Sequence, residues 1–312
     1  MSRSEVNWED YVVHLPKPEA FGELWREKAM LLAEVRYLLV VGSLTRPRKS
    51  AALAEQQLGM KHVGSYFDVT RSSEIGDREY NIELVDLGLG EPVRVAIASH
   101  GIGASGAEIV IAELTALIHY SRGLLGLDAD HEILGVGRSG TRGCLVDHPY
   151  GTLGISTVSY DDRFDAATPD PTLLSLVIEQ AQSDRVPYAL GRGISTAFFW
   201  TGQGRVLPSQ RPISAAQQSR REETAEAMLW SWVEKGIEFI EMEDHAVHSV
   251  CRTLGLPSVS VGVVIARRFD ADQGRFVLDY DADAKKHSEL MPVGVLLKAF
   301  GRHWLGRSES AR

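Results

Sequence analysis

The sequence predicts one α/β domain built in three layers, in which helices flank a mixed, mostly parallel central sheet. Its 312 residues are 44% hydrophobic and 24% charged, a composition typical of a globular protein with its own core. From Tyr37 onward, short apolar runs of strand length alternate with longer helical patterns. No linker rich in Pro, Gly or Ser divides the chain, so a second domain is not required.

The predicted strands are five apolar, largely β-branched runs whose composition suits burial on both faces of a sheet. They are residues 37–41, 93–99, 132–136, 153–158 and 259–266. A weaker and more charged run at residues 78–87 indicates an edge hairpin. Helical patterns cover residues 107–121, 171–182, 222–235 and 244–254, and glycines that can end a helix follow the last two.

The two ends of the chain differ from the domain between them. Residues 1–20 lack a clear period and are expected to lie across another surface, whereas residues 21–304 form the domain. The polar residues 305–312 are expected to be a flexible tail.

Charge and cysteine content exclude several classes of protein. The net charge of -9 and the pI near 5.6 argue against a general nucleic-acid binder or a basic membrane-surface protein. Two cysteines make neither a disulfide framework nor a zinc site, so a cytoplasmic location is expected. No apolar run reaches the ~18 residues of a membrane span. The histidines show no metal-ligand spacing, so no metal is expected.

Two glycine-rich motifs, GIGASG at residues 101–106 and GVGRSG at residues 135–140, fit more than one chemistry. A nicotinamide cofactor would need an acidic residue after the following strand, and that position holds Gly137-Arg138-Ser139. The glycines could instead allow close packing of a strand on a helix. A third interpretation is a small-anion pocket at several strand ends, where Gly42 and Arg46 would contribute.

Two further segments carry residues suited to a sugar and a planar base. In FIEMED, Glu241 and Glu243 could accept sugar hydroxyls, or they could be solvated acids before a helix that Asp244 caps. In AFFWTGQGR, the aromatic side chains could stack on a base whose edge Gln203 and Arg205 read. The alternative is a loop with buried aromatic residues and exposed polar ones.

Together these segments resemble the uridine phosphorylases of the nucleoside phosphorylase family. The likeness runs in order over about residues 10–300. It is carried by LVVGSLTRPRKSA, ASHGIGASGAEIVIAEL, ILGVGRSG, FFWTGQGR and FIEMED followed by the helix through CRTLGL. Purine-specific relatives usually have an aspartate after the last core strand, where this chain has IARRFD with Arg267 and Arg268. The resemblance therefore implies a pyrimidine nucleoside.

The resemblance assigns twelve residues to three subsites. It implies phosphate binding by Gly42, Arg46, Arg78, Arg138 and Ser139, ribose binding by His14, Glu241, Met242 and Glu243, and base binding by Phe199, Gln203 and Arg205. It further implies that His14 and Arg78 reach a neighbouring subunit's site, so residues 1–20 contribute to a dimer interface. A dimer, or a trimer of dimers, would then be the functional unit.

The reaction implied is reversible phosphorolysis of uridine, or of a related pyrimidine nucleoside, to free base and ribose 1-phosphate. Inorganic phosphate would be the cosubstrate, with no organic cofactor. The phosphate pattern departs from the family at Gly135, where an arginine is usual, and at Arg138, where a threonine is usual. The monovalent-cation pattern of Glu79 and Ile102 departs at Gly106, where a serine is usual.

These departures leave other functions open. A hydrolytic nucleosidase, or an enzyme that acts on a nucleotide, would use the altered pocket without phosphate as cosubstrate. A non-catalytic nucleoside-binding protein and a nicotinamide oxidoreductase are further alternatives.

Overall fold

Eleven strands form one mixed sheet in the computed structural model, which describes residues 6–68, 80–127, 131–207, 209, 213–270 and 274–310. The strands are β1 (Val35–Val41), β2 (Lys61–Asp68), β3 (Asn81–Asp86), β4 (Arg94–Ser99), β5 (Gly135–Cys144), β6 (Leu153–Tyr160), β7 (Ala166–Ala167), β8 (Tyr188–Ser195), β9 (Ile237–Glu241), β10 (Ser258–Asp270) and β11 (Arg275–Tyr280). The order across the sheet is β11-β10-β6-β8-β9-β5-β1-β4-β3-β2, with β7 beside β6.

Eight α-helices of the described residues cover the sheet. They are α1 (Trp25–Ala33), α2 (Arg46–Leu58), α3 (Ala104–Leu124), α4 (Pro171–Ser183), α5 (Ala215–Glu234), α6 (Asp244–Leu254), α7 (Ala282–Ser288) and α8 (Met291–Ser310). Within this described part, no helix is both long and apolar enough to cross a membrane.

Parallel pairing is concentrated at the centre of the sheet, where β1 lies between β4 and β5. Strand β5 also pairs in parallel with β10, and β10-β6-β8-β9-β5 close a ring of strands. Antiparallel strands β2, β3 and β11 lie towards the edges. The carboxyl ends of β1, β4 and β5 therefore open onto the same side of the sheet, where α/β proteins bind ligands.

Alternate residues of β1 point into two different core layers. Leu38 and Val40 pack with side chains of α3 and α6, whereas Leu39 and Val41 pack with side chains of α2, α4 and α8. This two-sided burial confirms the predicted three-layer α/β domain, and it explains why residues 37–41 of the strand are all apolar.

The predicted elements differ from the observed ones mainly where glycine and arginine interrupt the apolar pattern. Residues 132–136 were predicted as a strand, but β5 begins at Gly135 and continues to Cys144. Gly137-Arg138-Ser139 therefore lies inside the strand and not at its end. Strand β3 pairs with both β2 and β4, so the predicted edge hairpin is an interior strand. Helix α6 begins and ends at the predicted residues.

The N-terminal segment packs on α3 of its own chain. Trp8 stacks on His119 with ring centroids 4.5 Å apart. The buried Glu113 carboxylate accepts hydrogen bonds from the backbone N–H groups of His14 and Leu15, at 2.7 and 2.8 Å. At the other end, α8 continues to Ser310 and includes most of the predicted tail.

Candidate active site

A cavity of about 700 Å³ opens at the carboxyl ends of the central strands. Nine of the twelve predicted site residues line it: Gly42, Arg46, Arg138, Phe199, Gln203, Arg205, Glu241, Met242 and Glu243. Ser139 is buried without lining the cavity, and His14 lies elsewhere on the surface of this chain. Arg78, and the candidate cation ligand Glu79, lie outside the described residues.

The acidic turn between β9 and α6 forms one wall of the cavity. Glu241 and Glu243 are almost fully buried, so the alternative of solvated acids is wrong. The carboxylate of Glu241 accepts the backbone N–H groups of Glu243 and Asp244 at 2.6 and 2.8 Å, and the Ser195 hydroxyl donates to its other oxygen. Glu241 thus binds the first N–H of α6, and the N-cap residue is Glu243, not Asp244 as in the alternative. Burial and the neighbouring Asp244 raise the pKa of Glu241 to about 8.

A buried arginine, Arg138, holds this acidic turn from beneath. Its side chain is 3% exposed; Nη1 donates to Asp244 at 2.7 Å, and Nη2 donates to Glu243 and lies 3.3 Å from Glu241. Although burial opposes it, these carboxylates raise the pKa of Arg138. The same ion pair lowers the pKa of Glu243 against the effect of burial. Because both terminal nitrogens bind carboxylates, the geometry does not fit the phosphate contact expected of Arg138.

Glycines make room for Arg138 and for a second buried arginine, Arg142. A Cβ atom at Gly140 would lie 2.6 Å from Nη2 of Arg138, and one at Gly154 would lie 2.7 Å from Cδ of Arg142. Arg142 donates to Ser156 at 2.8 Å and to Asp244 at 3.1 Å. Gly140, in the second glycine motif, thus accommodates a buried guanidinium.

The first glycine motif positions Glu243. Gly101 and Gly103 have φ angles of 78° and 97°, which glycine adopts readily, and the N–H of Gly103 donates to Glu243 at 2.7 Å. A Cβ atom at Gly106 would overlap the carbonyl oxygen of His100, so this position cannot carry the family's serine without a backbone shift. The close-packing interpretation of this motif therefore holds at Gly106.

The expected phosphate end of the cavity contains Gly42 and Arg46. Arg46 is buried, which lowers its pKa, and Nη2 contacts Glu289 at 3.4 Å. Its Nε atom is buried without a hydrogen-bond partner among the described residues. Nearby Ser139 and His100 also keep buried polar atoms without such partners. Burial lowers the pKa of His100 to about 4, so its ring is neutral at pH 7.

Gln203 and two arginines form the expected base end of the cavity. Gln203 is buried, whereas Phe199 is 45% exposed, the reverse of the alternative interpretation of this loop. The Arg205 guanidinium lies over the Phe199 ring, 4.1 Å from its centroid. Arg268, at 2% exposed, donates to Gln203 Oε1 at 3.4 Å and otherwise only to backbone carbonyl oxygens. Within the described part of the chain, neither arginine pairs with a carboxylate.

Arg268 was not among the predicted site residues. Burial and the positive charge of Arg205 lower its pKa to about 10. The available signal was the run IARRFD in β10, where Ile265, Ala266 and Arg268 line the cavity. Strand alternation alone does not assign these faces, because the register of β10 shifts between Val264 and Ala266 and between Arg267 and Phe269. Arg267 is partly exposed and pairs with Asp147 at 3.1 Å.

His14 does not reach the cavity of its own chain. Its ring pairs with Glu113, and its side chain stays 27% exposed. Ile102 lines the cavity and is 78% exposed. In the ranges that the structure describes, no group of three or more His, Cys, Asp or Glu side chains is placed to hold a metal ion.

Comparison with known proteins identifies the family. The family model described as Phosphorylase superfamily matches residues 51–291. Uridine phosphorylase 2 of Homo sapiens is 23% identical over 308 residues, covering 94% of this chain and 88% of the human protein. The Mus musculus protein of the same name is also 23% identical, covering 94% and 87%.

Solved structures share the fold. Uridine phosphorylase from Schistosoma mansoni in complex with thymine matches with a TM-score of 0.64 and 20% identity, covering 88% of this chain and 90% of that one. Purine nucleoside phosphorylase from Toxoplasma gondii in complex with immucillin-H matches with a TM-score of 0.58 and 19% identity, covering 86% and 91%. The chain therefore belongs to the phosphorylase superfamily and is an enzyme of the pentosyltransferase class.

Proposed function

We propose that this enzyme catalyses the reversible phosphorolysis of uridine, or of a closely related pyrimidine nucleoside, to free base and ribose 1-phosphate. The single observation that carries the proposal is the base end of the cavity. There, Arg205 and the buried Arg268 flank Gln203, and no carboxylate of the described residues neutralises them. Burying a guanidinium without an anionic partner is unfavourable, which favours a ligand that becomes anionic at this place.

A pyrimidine leaving group meets that requirement. When the N-glycosidic bond breaks, its electron pair stays on the base, and the carbonyl oxygens of the base become more negative. Arg205 and Arg268 would donate hydrogen bonds to those oxygens, and Gln203 has both a donor and an acceptor for the ring edge. Stabilising charge that develops only in the transition state is an efficient form of catalysis.

The acidic turn suits the sugar. Each carboxylate oxygen of Glu243 accepts one protein hydrogen bond, from Gly103 or from Arg138, and keeps a lone pair for a ribose hydroxyl. The departing base leaves positive charge on the ribose ring, as in other glycoside cleavages, and a fixed carboxylate stabilises it. Arg138 acts here as a positioning residue, because it holds Glu243, and Met242 supplies the apolar wall beside the sugar.

Phosphate would attack from the end of the cavity that contains Gly42 and Arg46. One phosphate oxygen forms the bond to C1′ while the bond from C1′ to the base breaks, and the base then takes a proton from solvent. Ser139 is proposed to support this end from behind. The neighbouring subunit would contribute Arg78 to the phosphate and His14 to the ribose, so the proposal requires at least a homodimer.

The proposal also covers the location of the enzyme in the cell and the absence of a monovalent cation from the mechanism. We place the enzyme in the cytoplasm in pyrimidine salvage, which agrees with the free, buried thiols of Cys144 and Cys251. A monovalent cation at the subunit interface is not part of the proposed mechanism, because Gly106 has no side-chain oxygen to offer it.

The test is release of uracil from uridine, followed by ultraviolet absorbance, with and without inorganic phosphate. We expect release that requires phosphate, and little activity on inosine. An Arg268→Met variant should lose turnover and an Arg267→Met variant should keep it, because only the first side chain lines the cavity. Inosine cleaved as fast as uridine would contradict the pyrimidine assignment.

Hydrolysis is the second candidate, and one observation favours it. The Arg138 guanidinium, expected at the phosphate, is instead engaged by carboxylates, which leaves fewer cations for an anionic cosubstrate. Release of uracil at the same rate without phosphate would support a nucleosidase and overturn phosphorolysis.

A further inference from the structure

We propose that Lys285, together with Arg46, binds the phosphate cosubstrate in this chain. The inference rests on the proposed phosphorolysis and names a ligand of its anion subsite. It starts from the charges around the cavity, which is lined by six cationic side chains of the described residues: Arg46, Arg138, Arg142, Arg205, Arg268 and Lys285.

Four of these cations are already assigned by their contacts. Arg138 and Arg142 bind the carboxylates of the acidic turn and α6. Arg205 lies over the aromatic ring of the base end, and Arg268 contacts Gln203 there. Lys285 remains for an anion that arrives with the substrate, and so does the Nε atom of Arg46, whose Nη2 contacts Glu289 at 3.4 Å.

Lys285 projects from α7 one helical turn before the residue that contacts Arg46. The backbone N–H of Glu289 donates to the carbonyl of Lys285 at 2.9 Å, so these two residues lie on one helical face. Side chains four residues apart on a helix emerge ~5–6 Å from each other. Oε2 of Glu289 contacts Nη2 of Arg46 at 3.4 Å, and Arg46 and Lys285 both line the cavity. The two cations therefore approach the same cavity from neighbouring positions in the fold.

The Lys285 ammonium group has no side-chain hydrogen bond or ion pair within the described residues, although it lines the cavity. Two acids lie one helical turn from Lys285, namely Asp281 and Glu289. Oδ1 of Asp281 accepts the N–H of Ala284 at 2.7 Å, and Glu289 is already bound by Arg46 and, at 2.8 Å, by Lys49. Those cations lower the pKa of Glu289 although burial opposes it, so its charge is compensated. Lys285 therefore keeps a full set of donors for an anion.

The chemistry of both cations suits inorganic phosphate. Arg46 is rigidly buried and presents an unpartnered Nε, whereas lysine offers a mobile point charge that can follow an oxygen atom during the reaction. The two cations come from the start of α2 and from α7, so they would contact different oxygens of one phosphate. Hydrogen bonds between charged partners are the strong ones, and losing one weakens binding appreciably.

The experiment is steady-state kinetics of a Lys285→Met variant with phosphate varied at saturating uridine, and with uridine varied at saturating phosphate. We expect the KM for phosphate to rise by about ten-fold or more and the KM for uridine to change by less than about two-fold. Lys285→Arg should restore part of the phosphate affinity. Lys286→Met is the matched control, since this neighbouring lysine lines a separate groove beside α2 and α8 and should leave both constants unchanged.

An unchanged KM for phosphate in Lys285→Met would overturn the inference, and so would a rise confined to the KM for uridine. Failure of the proposed function is a different result, namely a wild-type enzyme that forms no ribose 1-phosphate. In that case phosphate-induced thermal stabilisation is compared in wild type and variant. If phosphate raises the melting temperature of the wild type alone, the result supports phosphate binding by Lys285. Equal increases in wild type and variant overturn the inference.

Discussion

Replacing Arg138 with methionine tests the electrostatic basis of the acidic turn. Methionine keeps much of the aliphatic volume but removes the cation that faces Glu241, Glu243 and Asp244. Asp244 would keep Arg142 at 3.1 Å, whereas Glu243 would keep only the N–H of Gly103 at 2.7 Å. The substitution therefore leaves at least one buried carboxylate without a counter-charge.

The magnitude follows from that uncompensated charge. Removing one partner of a buried ion pair costs about 3–5 kcal/mol of unfolding free energy, and at 3% exposure the side chain is hardly screened by solvent. Such a loss is a large part of the ~5–15 kcal/mol that typically stabilises a domain. The matched control is Arg267→Met, which removes two partly exposed ion pairs, with Asp147 and Asp279, and should cost about 1 kcal/mol or less.

The loss of stability caused by Arg138→Met should depend on pH, because the pKa of Glu243 depends on Arg138. In the wild type the pKa of Glu243 is lowered, so its contribution to stability is present above the unfolded pKa and is lost as pH falls. In the variant, burial of Glu243 without Arg138 should raise its pKa. The buried negative charge then destabilises the variant at high pH, and this destabilisation decreases as pH falls and Glu243 takes up a proton. The difference in stability between wild type and variant should therefore shrink from pH 8 to pH 5.

The assay is urea unfolding followed by tryptophan fluorescence, at both pH values and at fixed protein concentration. A loss below about 1 kcal/mol at pH 8 would refute the assignment of Arg138 as the counter-ion of the acidic turn, since buried pairs cost more than that to break. A large loss that is equal at both pH values would refute the argument from Glu243, because packing alone carries no such pH dependence.

Three further predictions concern single positions. Gly140→Ala places a Cβ 2.6 Å from the Arg138 guanidinium, so it should destabilise the chain by about 1–3 kcal/mol and raise the KM for uridine, whereas wild-type values for both would contradict the tight fit. Arg268→Met should lower kcat/KM for uridine by about 10²–10³-fold without loss of stability in thermal unfolding, and an unaltered kcat/KM would remove Arg268 from the site. Burial lowers the pKa values of His100 and His248 to about 4, so their contribution to stability is present above pH 6.5 and is lost as pH falls towards 4. By pH 5, each of these two histidines should lower the free energy of unfolding in urea by roughly 2 kcal/mol, and a His100→Asn variant should lack the part of this loss that His100 causes.

Much of the fold could be predicted because its signals are local. The run at residues 37–41 is apolar at every position, and β1 is buried on both faces. In α3, Ile111, Leu114 and Ile118 have helical spacing and belong to one core cluster. The acidic turn and the Gln203 loop could also be found, because each is a short segment whose residue types suit one chemistry.

The rest depends on contacts between residues far apart in the chain. Arg138 and Glu243 are separated by 105 positions, and only the folded sheet shows that they pair with each other. The role of Gly140 could not be predicted either, because only the folded structure shows that its missing side chain makes room for Arg138. The sequence does not distinguish Arg268 from its neighbour Arg267, because the two have the same residue type and the register of β10 is irregular at this point.

The most direct test of the central claim is the identity of the sugar product. Purified enzyme, uridine and inorganic phosphate are incubated together, and the reaction is followed by phosphorus-31 NMR beside absorbance for uracil. The account predicts that a ribose 1-phosphate signal grows in equal amount to uracil while inorganic phosphate declines. Formation of uracil with free ribose, at constant inorganic phosphate, would contradict it.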